Sequence, residues 1–203
     1  GVSATPKRGD SLDKVIYMLI GPLRHRFTAL ERAKEQGIGH YFVPRYTRVV
    51  DTVESKDNIN KAYNLISTSK VRNEMIIDDV ITCVARKQTP VILTRFKEHA
   101  KFLHDALKEK ADHVFLLYGD NSDKENAEIR VKLKQIPENE SLILVATGQK
   151  IGEGFDFPRL DVLMLAAPVS FEGRLEQYVG RLNRDYVGKE AVPSLSSLLI
   201  EVY

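Results

Sequence analysis

From residue 90 onward the chain alternates between two rhythms. PVILT (90–94), HVFLLY (113–118), SLILVAT (141–147), DVLMLAAP (161–168) and SLLIEVY (197–203) are short apolar runs without polar alternation. Between them lie amphipathic stretches. RFKEHAKFLHDALKEK repeats apolar Phe96, Ala100, Leu103 and Leu107 at helical spacing. SDKENAEIRVKLKQ opens on a serine, carries its acids early and its bases late, and so matches the helix dipole. FEGRLEQYVGRLNR (171–184) reads as a further helix. Strands that are apolar on both sides must be covered on both faces. The pattern therefore predicts an α/β domain: a mostly parallel sheet between two helical layers.

The first 89 residues are less regular. SLDKVIYMLIG predicts a helix stopped at Gly21-Pro22, and TALERAKEQG (28–37) a helix ending at Gly37. HYFVPRYTRVV (40–50) reads as extended, with Pro44 arguing for a sheet edge. Residues 57–87 are helical by pattern. No internal repeat, low-complexity tract or long linker interrupts the chain.

Composition narrows the class. A length of 203 residues with 43% hydrophobic content suits one domain, or one with a short extra piece. A formal net charge of +2 neither demands nor excludes a polyanionic partner, so local patches must decide. A single cysteine, Cys83, forbids an internal disulfide and fits a reducing, cytoplasmic setting. No apolar run reaches the length of a membrane span, no signal peptide is visible, and no membrane partner is expected. Residue 1 is glycine rather than methionine, and a piece of a longer polypeptide is the expectation.

In open parallel sheets, ligands bind beyond the carboxyl ends of the strands. Those ends carry Thr94-Arg95, Gly119-Asp120-Asn121-Ser122, the loop TGQKIGEGFDFP (147–158), and Pro168 and Ser170 leading to the last helix. Glycines, hydroxyls and cations thus collect on one predicted edge, which suits an anion. In the loop, Thr147 offers a hydroxyl and Gly148 close backbone approach, Gly152 and Gly154 allow tight turns, and Asp156 could accept from a ribose hydroxyl. GEG lacks the third glycine and the long helix of a dinucleotide fingerprint, and such a loop can also be a plain connection. Arg181 and Arg184, three apart in QYVGRLNR, share a helical face. They are either solvated neighbours of Glu176 and Asp185, or cations that stabilise a transferring phosphoryl group.

Other chemistry is thin. His99, His104 and His113 sit in or beside the first helix and second strand of this region, where structural or surface roles suffice, and Cys83 lies in a helical pattern. No metal cluster is expected. MIIDDV (75–80) imitates an acidic Walker B strand, but Met75, Ile76, Val80 and Val84 keep helical spacing and no glutamate follows where one is needed. A P-loop, G-x-x-x-x-G-K-[ST], is missing. Gly188-Lys189 is the nearest match, yet Glu190 follows it and Asn183 stands where the first glycine belongs. Tyr41, Arg45, Tyr46 and Arg48 interleave rings and bases as single-strand binders do, although an ordinary edge strand with outward Tyr and Arg is the preferred reading.

The series SATP (3–6), VILTRF (91–96), LYGDNS (117–122), ATGQKIGEGFDFP (146–158) and QYVGRLNR (177–184) resembles the motifs of superfamily 2 helicases and translocases, in the branch of DEAD/DEAH-type and restriction-enzyme motors. It resembles the second, C-terminal RecA-like domain of such proteins, with SATP as their motif III and the rest running to motif VI. The resemblance implies a three-layer RecA-like domain over residues 38–203, with residues 1–37 closing the preceding RecA-like domain and connecting the two. It implies that Arg184 and Arg181 reach the γ-phosphate of ATP, Arg184 as the finger, with Gln177 ordering them. Gly154 and Asp156 would approach the nucleotide. Thr94, Arg95, Gly119, Thr147 and Gly148 would face a DNA or RNA backbone, and Ser3 and Thr5 would couple hydrolysis to strand movement. ATP and Mg²⁺ would belong to the full-length protein, held largely by the N-terminal RecA-like domain of the same polypeptide, and this chain alone would hold neither. KEAVPSLSSLLIEVY departs from the family, where a basic GK leads straight into a strand.

Three functions fit these residues to different degrees. A motor fragment explains the arginines and the missing P-loop together. A non-catalytic module with the same fold could bind nucleic acid or protein without ATP. A self-sufficient small-molecule transferase would need a base or nucleophile at the strand ends, and none is evident.

Overall fold

The computed structural model describes residues 13–22, 24–25, 40–47, 59–148, 157–168, 178 and 198–202. In chain order these form α1 (Asp13–Ile20), β1 (His40–Pro44), α2 (Ile59–Thr68), α3 (Lys70–Ala85), β2 (Pro90–Thr94), α4 (Lys97–Leu107), β3 (His113–Leu117), α5 (Asp123–Gln135), β4 (Leu142–Thr147), β5 (Val162–Leu165) and β6 (Leu198–Val202). The six strands make one sheet in the order β1-β6-β5-β2-β4-β3, and every pairing is parallel. β1 lies at the edge, where Pro44 costs no ladder bond. β6 pairs Leu199 with Val162 on one side and Leu198 with His40 on the other, which fixes the register of the last strand.

The unbroken apolar runs divide by alternate residues between two cores. Val91, Leu93, Leu144, Ala146, Leu163 and Leu165 point to one face, where Leu133 of α5 meets them. Ile92, Ile143, Val145, Val162 and Met164 point to the other, against Ile76 and Val80 of α3 and Ala100, Leu103 and Leu107 of α4. Two covered faces make the three-layer α/β/α sandwich that the runs predict. α5 starts at Ser122 with both halves of a capping box. The Ser122 hydroxyl accepts from the Glu125 amide, and the Glu125 carboxylate accepts from the Ser122 amide at 2.7 Å. Those bonds hold the Glu125 carboxyl below its usual range.

Two details differ from the sequence pattern. Residues 57–87 are not one helical stretch within the described part, because Ser69 breaks α2 from α3 with ψ 115°. The Ser67 and Thr68 hydroxyls turn back and donate to the Asn64 carbonyl, each at 2.9 Å, the local competition that ends helices at such residues. Phe96 precedes α4 in extended conformation rather than joining its apolar face, and His99 takes a buried position on that face. The helix predicted at 28–37 lies outside the described residues. No helix among the described residues is long and apolar enough to cross a membrane.

Leu103 is fully buried beneath the sheet. Leu103→Ala should cost about 2–5 kcal/mol, read as a lowered denaturant midpoint at unchanged slope.

Candidate functional site

The parallel topology delivers the strand ends to one edge. β2 and β4 are neighbours, and their register sets Thr94 opposite Thr147, so the two predicted threonines end adjacent central strands. Arg95 follows Thr94 and is exposed, while Gly148 follows Thr147 and is half-buried. β3 ends at Leu117 opposite Ala146, which puts Gly119 on the same edge, two residues on. A Cβ added at Gly119 would stand 3.2 Å from the Lys97 Cε, and Lys97 itself pairs with Asp120. Five of the predicted residues therefore converge. Gln177, Arg181, Arg184, Gly154, Asp156, Ser3 and Thr5 lie outside the described residues.

Beneath this edge runs a buried polar chain. The Thr94 hydroxyl lies 2.7 Å from His99 Nδ1, and His99 Nε2 lies 2.9 Å from the Asn73 Oδ1. The Asn73 amide nitrogen donates to the Ser67 carbonyl at 2.9 Å. Asn73 thus offers its oxygen to His99, which must donate from Nε2; a neutral ring then accepts at Nδ1 from Thr94. All three side chains are at most 4% exposed. Burial, with a smaller push from the Arg72 guanidinium, pulls the His99 pKa down to about 4. The Thr94 proton is spent on His99, so Thr94 meets a ligand with lone pairs or backbone rather than as a hydroxyl donor.

Arg72 sits at 1% exposure and donates to the Ala166 carbonyl at 2.8 Å and to the Ile66 carbonyl at 3.3 Å. It clamps α2 and α3 to the end of β5. Arg95 takes a different course: its guanidinium lies over the Tyr63 ring, 4.4 Å from the centroid. Arg95 also lines a groove of about 970 Å³ whose walls include Asn73, Ile77, Phe96, His99 and Phe102. At the other side, the Tyr178 hydroxyl donates to the Gly148 carbonyl at 2.9 Å. A Cβ at Gly148 would stand 2.6 Å from that hydroxyl oxygen, so a larger residue there would force the Tyr178 hydroxyl to shift.

Tyr63, Asn73, His99 and Tyr178 are thus parts of the edge that the motif reading leaves out. One signal in the sequence points to His99 and to the Arg72 clamp. Arg72 precedes Ile76 and Val80 at four-residue spacing, and His99 precedes Leu103 and Leu107 likewise, so polar residues occupy apolar stripes. The acidic pair at 78–79 is helical, as its spacing indicates. Asp79 accepts two bonds from Arg45, at 2.9 and 2.8 Å, which ties the edge strand to α3. Tyr46 is 89% exposed, and His113 faces Glu140 at the surface. Among the described residues no group of His, Cys, Asp or Glu could hold a metal.

Two measurements check this geometry. A histidine held neutral in the fold binds fewer protons than in the unfolded chain, so its stabilisation is present above pH 6.5 and drains as pH falls towards 4. The span corresponds to roughly 3 kcal/mol. His99→Gln should flatten the loss of unfolding free energy over that window relative to wild type, and equal pH slopes in the two proteins would refute the buried neutral ring. Gly148→Ala should destabilise by about 1–3 kcal/mol, and by clearly less in a Tyr178→Phe background, where the clashing oxygen is gone.

Similar proteins place this chain in a family. "Transcript termination protein A18" of Yaba-like disease virus is 28% identical over 199 residues, which cover 93% of this chain and 39% of that protein. A fragment assigned to the HsdR subunit of a type I restriction enzyme from Vibrio vulnificus YJ016 superposes with a TM-score of 0.66 at 19% identity, over 97% of this chain and 38% of that one. The helicase MrfA, solved bound to DNA and AMPPNP, superposes with a TM-score of 0.53 at 14% identity, over 80% of this chain and 19% of that one. The chain spans well under half the length of each of these proteins. The profile described as "Helicase conserved C-terminal domain" matches residues 67–185, more than half of the sequence. The chain belongs to that family, and its fold is RecA-like.

Proposed function

We propose that this chain is the C-terminal half of an ATP-dependent nucleic-acid motor, a helicase or translocase. In this reading the strand edge of Thr94, Arg95, Gly119, Thr147 and Gly148 runs along a DNA or RNA backbone. The observation that carries it is the pairing of Thr94 with Thr147 at the ends of adjacent strands, with exposed Arg95 beside them. Two strand-end turns and the exposed Arg95 cation on a single edge suit a phosphate chain, bound without regard to sequence. MrfA, similar in fold, was solved with both DNA and a nucleotide analogue, which accords with a shared edge of this kind.

The ATP side of the proposal rests on sequence. Arg184 would act as the finger and Arg181 beside it, with Gln177 ordering both, while Gly154 and Asp156 would approach the nucleotide and Ser3 and Thr5 would couple turnover to movement. A finger lowers the barrier by placing fixed positive charge where the transferring phosphoryl group gathers negative charge. The 203 residues hold no G-x-x-x-x-G-K-[ST] cradle, so ATP and Mg²⁺ would be gripped by an N-terminal RecA-like domain of the same polypeptide.

The test is ATP turnover with and without nucleic acid. The 203-residue chain alone should show none above background. A longer polypeptide carrying an upstream P-loop domain should hydrolyse ATP, and Arg184→Ala in it should lower kcat on the order of 10³-fold. Full turnover in that variant would remove the finger from Arg184, and an upstream region without a P-loop would favour a non-catalytic binding module.

A further inference from the structure

We propose that Tyr63 is a positioning residue for the nucleic-acid contact of Arg95. This inference rests on the reading of the strand edge given above, and it adds a residue from α2, a helix outside the motif series.

Arg95 is an exposed arginine on a turn between β2 and α4. Left to itself, such a side chain samples many rotamers, and ordering it on a phosphate costs entropy. The described arginines with known partners are otherwise committed through hydrogen bonds. Arg45 pairs with Asp79, Arg72 donates to the carbonyls of Ile66 and Ala166, and Arg159 donates to carbonyls of the 137–140 turn. Arg95 has no carboxylate partner among the described residues. Its neighbour Glu98 bonds Lys101 at 3.2 Å instead. What holds Arg95 is the face of Tyr63, 4.4 Å away, and that ring is itself only 9% exposed.

The mode of restraint matters. A carboxylate would take up the N–H groups that a phosphate needs. An aromatic face engages the flat side of the guanidinium and leaves its N–H edge free to donate in plane. Tyr63 therefore fixes where the cation stands without spending its donors. The backbone beneath is fixed independently, because Thr94, one residue before, is pinned to His99 and Asn73. Side chain and main chain of the same turn are each locked, by different partners, and the N–H edge is the part left to act.

Binding of the 203-residue chain to fluorescein-labelled oligothymidylate and oligouridylate of equal length, followed by anisotropy between roughly 50 and 200 mM salt, tests this. Tyr63→Phe should bind as wild type. Tyr63→Leu should weaken binding about two- to fivefold, the fold-change expected of a lost exposed cation–π contact. Arg95→Ala should weaken binding at least as much and lower the salt slope by about 0.7 to 0.9. Tyr63→Leu added to Arg95→Ala should cost nothing further. A Tyr63→Leu protein that binds as wild type overturns the proposal, as does one whose loss persists in the Arg95→Ala background, since Tyr63 would then act through the fold. Should Tyr63→Leu not fold, Tyr63→Met carries the same cycle. Unchanged affinity and slope in Arg95→Ala would sink the strand-edge reading itself, and this inference with it. The DNA and RNA arms report which backbone the edge prefers.

Discussion

A guanidinium taken out of water must find acceptors, and Arg72, at 1% exposure, finds backbone carbonyls on two separate elements. One belongs to Ile66 of α2 and the other to Ala166, just past β5. The Ala166 amide in turn donates to the Leu93 carbonyl of β2 at 2.8 Å. Helix pair, β5 exit and β2 end are thereby joined by groups that cannot let go without leaving a buried charge unsatisfied. The adjacent residue, Asn73, holds His99 and through it Thr94. Two consecutive polar residues of one helix turn thus hold the end of β2 from both sides. After burial, the same guanidinium adds to the push that keeps His99 neutral, while Asn73 sets the tautomer of the ring.

The sheet supplies the complementary constraint. Its strands are apolar on both sides because both sides are covered, and so polar chemistry has nowhere to go but the ends. Parallel pairing then sends all the carboxyl ends to one edge. Thr94 and Thr147 meet because the β2–β4 register aligns their Cα atoms, not because either residue selects the other. At such an edge buried threonines and an exposed arginine divide the work. Thr94 fixes the backbone through His99, and Arg95 stands exposed beside it.

The sheet and most of its helices are legible in the sequence for physical reasons that particular residues make plain. PVILT, LILVAT and VLML are apolar throughout except for the threonines that close the first two, a pattern that suits a doubly covered strand. Ser122 and Glu125 announce the start of α5 through spacing alone. The motif residues Thr94, Arg95, Gly119, Thr147 and Gly148 follow from standing at or just past strand ends. Tyr63 is not legible in this way. It lies in a helix of ordinary pattern, and only the tertiary packing of α2 brings its ring under Arg95. His99 is legible as structural yet not as a support of Thr94, since five residues of separation across a strand–turn–helix junction give no facing rule. The break at Ser69 is a matter of local competition by Ser67 and Thr68 hydroxyls, which apolar periodicity does not register.

The fate of the acidic pair shows why position outranks composition. MIIDDV has the letters of a metal-binding strand, but in α3 its carboxylates leave the helix on successive faces. Asp79 is claimed by the bidentate fork of Arg45, and Asp78 is exposed. The same residue types at a strand end would be poised for a cation; here one of them secures the edge strand to the helical layer. With Asp79 so engaged and Asp78 on another face of the helix, the two do not converge as the open carboxylates that Mg²⁺ needs. The described edge instead offers the Arg95 guanidinium and the backbone at the ends of β2 and β4, the groups on which the proposed phosphate contact rests.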